Sequence, residues 1–145
     1  MKIIFFGTPD FAVPSLREII KNGHDVVAVV TAPDKERGRG RKVTYTAVKQ
    51  FALENNLKVL QPEKLKDQNF VDELTSLNAD LFVIVAFRIL PPEVFRIPPK
   101  GSFNLHGSLL PKYRGAAPIQ WALINGETKT GLTTFFLEEK VDTGN

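Results

Sequence analysis

A doubly wound α/β fold with a mostly parallel sheet is the architecture this sequence predicts. Three observations predict it. Short, continuously apolar runs recur ("KIIFFG", "DVVAVVT", "ADLFVIVAF"), as strands buried on both faces require. Helix-like segments with start and stop signals separate them. The 145 residues, 43% hydrophobic and 24% charged, suffice for one domain with a real core. Strand-helix-strand units of this kind cross over with one hand. Ligands then bind beyond the carboxyl ends of the strands, near the switch in strand order.

Each element has its own warrant. "KIIFFG" is the first buried strand. "PDFAVPSLREIIKNG" is a helix, with Pro14 in the first turn, where a missing N–H costs little, and Asn22-Gly23 closing it. In the connecting "GTPD", Asp10 reads either as the helix cap or as part of the site. "DVVAVVT" is a second strand. "TAVKQFALENN" is a helix with Val48, Phe51 and Ala52 on one stripe. "LKVLQP" is a short strand stopped by Pro62, and Asp67 caps a helix running through Leu77. "ADLFVIVAF" is the third strongly apolar strand. "ILPPEVFRIPPKG", with Pro91, Pro92, Pro98 and Pro99, reads as irregular path. "SFNLH" is a strand, "APIQWALING" a helix and "TGLTTFFLEE" a last strand. The sequence carries no internal repeat and no low-complexity tract.

Composition excludes several classes. Without cysteine there are no disulfides and no thiolate metal site. The start "MKIIFFGTPDF" lacks the long apolar run and cleavage site of a signal peptide, and no apolar stretch nears the roughly 18 residues of a membrane span. A cytoplasmic protein with no membrane partner is expected. The formal net charge is +3. "DKERGRGRK", Asp34 to Lys42, holds five of the 19 basic and two of the 16 acidic residues, so the remaining 14 of each sign cancel. All excess positive charge sits in one glycine-containing loop, expected to be flexible and to order on a polyanion in a salt-dependent way. Dinucleotide binding is disfavoured: no G-x-G-x-x-G follows the first strand, and Pro9 removes an N–H a phosphate cradle would use.

The stretch "FNLHGSLLPKYRGAAPIQW" carries the chemistry. Period-two alternation turns Phe103 and Leu105 to one face of the strand and Asn104 and His106 to the other. An amide and an imidazolium at a strand's carboxyl end are able to donate to one developing oxyanion, which is acyl-transfer chemistry without a nucleophilic residue. Ser108 alone is a poor nucleophile candidate. Asp142, just past the last strand, is the carboxylate a strand-helix-strand return would bring back to support His106. One histidine with scattered carboxylates lacks zinc-ligand spacing, so no metal is expected. His24, in the turn "NGHDV", reads as structural.

These residues resemble the folate-dependent formyltransferases, and among them the members whose acceptor is methionyl-tRNA. "FFGTPDFAVPSL", "APDKERGRGRK", "VLQPEKL", "VAFRILP", "HGSLLPKYRGAAPIQ" and "VDTG" occur in family order over the whole chain. The resemblance implies a Rossmann-like catalytic domain over residues 1–145, incomplete at its carboxyl end, with the family's carboxyl-terminal β-barrel absent. It implies 10-formyltetrahydrofolate as donor, no metal, methionyl-tRNA as acceptor and a monomer. Asn104, His106 and Asp142 match the family's catalytic trio. Ala86, Phe87, Arg88, Ile89 and Leu90 match the segment that holds the pterin. Ser108, Leu109, Leu110 and Pro111 match the loop shaping the folate site. Arg37, Arg39, Arg41 and Lys42 match an insertion that reaches the tRNA acceptor end. "AFRIL" departs from the tyrosine and glycine common in the family, which bears on Phe87 and Arg88, and Asn145 replaces a common aspartate. Two alternatives share most of this pattern: a formyltransferase for an amino-sugar nucleotide, and a non-catalytic folate- or RNA-binding module. A purine-pathway formyltransferase fits less well.

Overall fold

The computed structural model describes residues 1–37, 42–105 and 134–136. Its main sheet has the order β5-β2-β1-β6-β7-β8. These strands are β1 (Lys2–Gly7), β2 (Asp25–Val30), β5 (Val59–Leu60), β6 (Leu81–Val85), β7 (Ser102–Leu105) and β8 (Thr134–Phe136). The first five are mutually parallel, and β8 pairs antiparallel with β7. A separate two-stranded sheet pairs β3 (Lys35–Arg37) with β4 (Lys42–Thr44). The chain builds outward from β1 through β2 to β5. It then returns beside β1 as β6 and proceeds the other way, so the switch in strand order lies between β1 and β6.

Helices cover both faces because alternate strand residues are apolar on both. One core joins Ile3, Phe5 and Val83 to Leu16 and Ile19 of α1 (Val13–Lys21) and to Val48 and Ala52 of α2 (Ala47–Glu54). The other joins Ile4, Phe6 and Phe82 to Phe70 and Leu74 of α3 (Gln68–Ser76) and to Val94 and Phe95 of α4 (Pro92–Phe95). The parallel strands are buried on both sides, which accounts for their unbroken apolar sequence. In β2 the alternation slips. The β1–β2 register shifts between Ile3 and Ile4, and Val27 and Ala28 both pack into the second core. This irregularity is invisible in a run as uniform as "DVVAVV".

The helix ends follow local chemistry. Asn22 closes α1: its N–H and its side-chain amide both donate to the Glu18 carbonyl, at 3.0 and 2.8 Å. Gly23 follows at φ +85°, a conformation only glycine adopts readily. Thr46 caps α2 by accepting from the Lys49 N–H at 3.0 Å. Asp67 caps α3 as expected, accepting from the Asn69 N–H at 3.2 Å.

Three expectations are corrected. The proline-rich segment is not wholly irregular, since Pro92 starts the one-turn helix α4, where its missing N–H has no intrahelical partner to lose. Asp10 is not the cap of α1. A 3-10 turn, Asp10–Ala12, intervenes, closed by the Ala12 N–H on the Pro9 carbonyl at 2.9 Å, and the residue before α1 is Ala12. The roots of the basic loop are not unstructured: they form the β3–β4 ladder, with Lys35 opposite Thr44 and Arg37 opposite Lys42. The expected "APIQWALING" helix lies outside the described residues.

Candidate active site

Three segments meet at the carboxyl rim of the sheet. β1 ends in Gly7, which pairs in register with Val85, the last residue of β6. The turn Ala86–Leu90 starts directly beyond. On the next strand, Asn104 pairs with Ile84 and Leu105 with Val85. Gly7-Thr8-Pro9-Asp10, Ala86–Leu90 and Asn104 therefore occupy one rim, across the switch point. The face alternation holds: Phe103 and Leu105 enter the first core, while Asn104 lies half-buried on the opposite face. Ser102, on the Asn104 face, is buried and donates to the Phe95 carbonyl at 2.8 Å, tying β7 to α4.

The turn after β6 has an unusual backbone. Ala86 has φ +54°, a left-handed conformation that costs an alanine about 1 kcal/mol or more. Phe87 then turns inward, its ring 5.7 Å from that of Phe6. Arg88 lies against the Phe87 ring and donates to the Pro62 and Glu63 carbonyls at 2.8 and 3.0 Å. Burial lowers the Arg88 pKa from its ordinary value. Arg88 thus ties the β6 turn to the end of β5. Ile89 is left 70% exposed on the rim, while Leu90 is buried.

A cleft of about 430 Å³ opens beside this rim, between the carboxyl ends of β1 and β2 and the start of α2. Thr8, Asp10, Lys35 and Tyr45 line it. Asp10 thus lines a cleft instead of capping α1. The wall formed by the β3–β4 root is anchored. Lys49 and Gln61 both donate to the Asp34 carboxylate at 2.7 Å, and Gln61 also donates to the Ala32 carbonyl at 3.1 Å. Hydrogen bonds from Lys49, then Gln61, hold the Asp34 carboxyl below its ordinary pKa. The Thr31 and Thr46 hydroxyls meet at 2.7 Å. The sequence reading missed this anchor. Its members are spread from Thr31 to Gln61, and only the fold brings them together.

Of the expected site residues, the structure brings Ala86, Phe87, Arg88, Ile89, Leu90 and Asn104 to one rim. Arg37 and Lys42 stand opposite each other at the far end of the hairpin. His106, Asp142, Ser108, Leu109, Leu110, Pro111, Arg39 and Arg41 lie outside the described residues. β8 does return beside β7, but antiparallel, with Phe136 opposite Phe103. His24 lies before β2, at the opposite end of the sheet from the rim. Burial first, then the amino-terminal ammonium, lower its pKa. Among the described residues, no group of three His, Asp or Glu side chains is arranged to hold a metal, and no helix is long and apolar enough to cross a membrane.

A parallel sheet with helices on both faces and polar groups at its strand-order switch defines the class, a doubly wound α/β protein with a rim site. Residues 1–145 match the Formyl transferase family over their whole length, and the chain belongs to that family. It is 62% identical over 144 residues to the methionyl-tRNA formyltransferase of Flavobacterium johnsoniae, 59% to that of Bacteroides thetaiotaomicron and 55% over 145 residues to that of Clostridioides difficile. Each alignment covers 99% of this chain but 46%, 45% and 47% of the relative, so the chain spans about half their length. Among solved structures, phosphoribosylglycinamide formyltransferase from Streptococcus pneumoniae superposes with a TM-score of 0.61 at 20% identity, over 99% of this chain and 77% of that one. An N-formyltransferase from Helicobacter canadensis, solved with folinic acid and dTDP-3-aminofucose, does so with a TM-score of 0.55 at 28% identity, over 100% and 50%.

Proposed function

We propose that this chain carries the catalytic rim of an enzyme that moves a formyl group from 10-formyltetrahydrofolate to the amino group of methionyl-tRNA, in the cytoplasm and as a monomer. The observation that carries the reading is the placement of Asn104 beside the Ala86–Leu90 turn, in a chain 62% identical to a methionyl-tRNA formyltransferase. The donor is a substrate. Its flat ring system suits a rim where Ile89 stands 70% exposed beside the reversed backbone of Ala86. Ser108, Leu109, Leu110 and Pro111 complete that side of the site in this reading. Arg37, Arg39, Arg41 and Lys42 of the basic hairpin meet the acceptor's phosphates.

The amine nitrogen forms its new bond to the formyl carbon, and the bond from that carbon to the folate nitrogen breaks. The formyl oxygen gains negative charge between these events. The Asn104 amide and protonated His106 donate to it. The amine gives up a proton and the folate nitrogen takes one, with Asp142 supporting His106 and passing protons through water. Asp142 lies six residues beyond Phe136. Six residues reach about 20 Å when extended, longer than the four-residue β7, so a strand ending beside Phe103 still permits Asp142 to approach the rim.

The test is to supply 10-formyltetrahydrofolate with methionyl-tRNA or, in parallel, an amino-sugar nucleotide. Formyl-methionyl-tRNA as the only product is expected. Transfer only to the sugar nucleotide, the acceptor class named in the Helicobacter structure, would replace this reading. His106→Ala is expected to abolish transfer, and Asn104→Ala to lower kcat by about 10²–10³. Full activity in either purified variant would refute the assignment.

A further inference from the structure

We propose that Tyr45 is a stacking platform for a nucleobase in the single-stranded end of the acceptor RNA, held in place by Lys49 at the mouth of the rim cleft. The inference rests on the reading above that the acceptor is a tRNA.

Tyr45 is 51% exposed, in a chain whose other tyrosine, Tyr113, lies outside the described residues. Its ring is not loose. The Lys49 ammonium lies 3.9 Å from the ring centroid and is itself fixed by Asp34 at 2.7 Å. A cation on one face, with half of the residue in solvent, leaves the ring rigid and available, which is what base stacking requires. Tyr45 also forms the ridge between two hollows. The cleft of about 430 Å³ leads toward Thr8 and Asp10 at the end of β1. On the other side lies an outer groove of about 650 Å³ that also includes Val43 and Leu53, which are 55% and 48% exposed. Lys35 lines the inner cleft, and Thr44 of the same hairpin borders both hollows.

An aromatic ring flanked by cations is the arrangement that binds single strands: the cations follow the backbone and the ring takes a base of any identity. A free polyanion would use the charges and leave Tyr45, Val43 and Leu53 bare. A base in a sugar nucleotide has the same flat face but lacks the run of phosphates that matches the excess charge in residues 34–42. The observations therefore favour an RNA end.

The experiment uses the whole 145-residue chain and a short single-stranded RNA carrying 2-aminopurine near its 3′ end. Binding to the unsubstituted protein is expected to quench the fluorophore. Tyr45→Ala is expected to weaken binding by about 5- to 100-fold and to remove the quenching. Tyr45→Phe keeps both, and Tyr45→Leu, which retains bulk without a ring, loses both should the alanine variant fold poorly. The same RNA made abasic at the probe position is expected to bind the unsubstituted chain about as weakly as the base-bearing RNA binds Tyr45→Ala. In formylation assays, KM for methionyl-tRNA is expected to rise by the same factor, with kcat within about twofold. Unchanged RNA binding in both ring-lacking variants, with methionyl-tRNA still formylated, would overturn the Tyr45 proposal alone. A chain that binds no RNA and formylates only an amino-sugar nucleotide would overturn the functional reading as well.

Discussion

Gly7 is the last residue of β1, and its position leaves no room for a side chain. A Cβ there would lie 2.9 Å from the Ala12 Cβ, from the Phe5 ring and from the Val85 carbonyl oxygen. The carbonyl cannot retreat, because β6 is locked in register between β1 and β7. Gly7→Ala is expected to cost about 1–3 kcal/mol in chemical denaturation, the usual range for overpacking. Ala86, the next residue on the rim, is the reverse case. Ala86→Gly relieves its positive φ and is expected to leave stability unchanged or raise it by up to about 1 kcal/mol. Sequence legibility at this scale was uneven. The facing of Asn104 followed from the two-residue period of a strand, because nothing else fixes that period. The strain at Ala86 could not be read, because "VAFRIL" contains no residue type that announces a left-handed backbone. The role of Asp10 stayed open because cap and lining residues use the same chemistry.

Elements are held to one another by a few polar ties, and these make the next predictions. Ser102→Ala removes the hydroxyl that donates to the Phe95 carbonyl and leaves that carbonyl without this donor. A loss of about 1–2 kcal/mol in thermal unfolding is expected. The Asp34 anchor is predicted to be pH-sensitive. The folded-state pKa of Asp34 lies below its ordinary value of 3.8, so its stabilisation is present above that value and is lost as pH falls through the lower, folded one. Protection of the hairpin amides, taken relative to their intrinsic exchange rates at each pH, is therefore expected to fall at acid pH in the unsubstituted chain. Asp34→Asn should leave them weakly protected already at neutral pH, with a flatter acid dependence of that protection. An unaltered profile in that variant would show that Asp34 does not hold the hairpin. The buried strands were legible because burial on both faces demands an unbroken apolar run. The hairpin was not: its three-residue strands are mostly charged, and a glycine-containing basic tract carries the same signature folded or free. The one-turn helix α4 was hidden for a related reason, since its prolines also mark irregular chain.

At the scale of the molecule, β1, β2 and β6 lie inside the sheet and the β3–β4 hairpin lies outside it. Native-state hydrogen exchange is expected to show β1, β2 and β6 opening only with global unfolding, and β3–β4 opening far more readily. The order of the strands was beyond the sequence, because every parallel strand here is apolar on both faces and none declares its neighbour. What the sequence did carry was the rim, since the first strand's "GTPD" and the third strand's "AFRIL" each follow an apolar run directly. The end of the sheet at β5 has a different consequence. This outermost strand is two residues long, and Pro62, two positions beyond it, cannot donate to a ladder. A second molecule finds no length of edge there on which to lay a strand, so growth of aggregates by edge pairing is blocked on that side while the fold is intact.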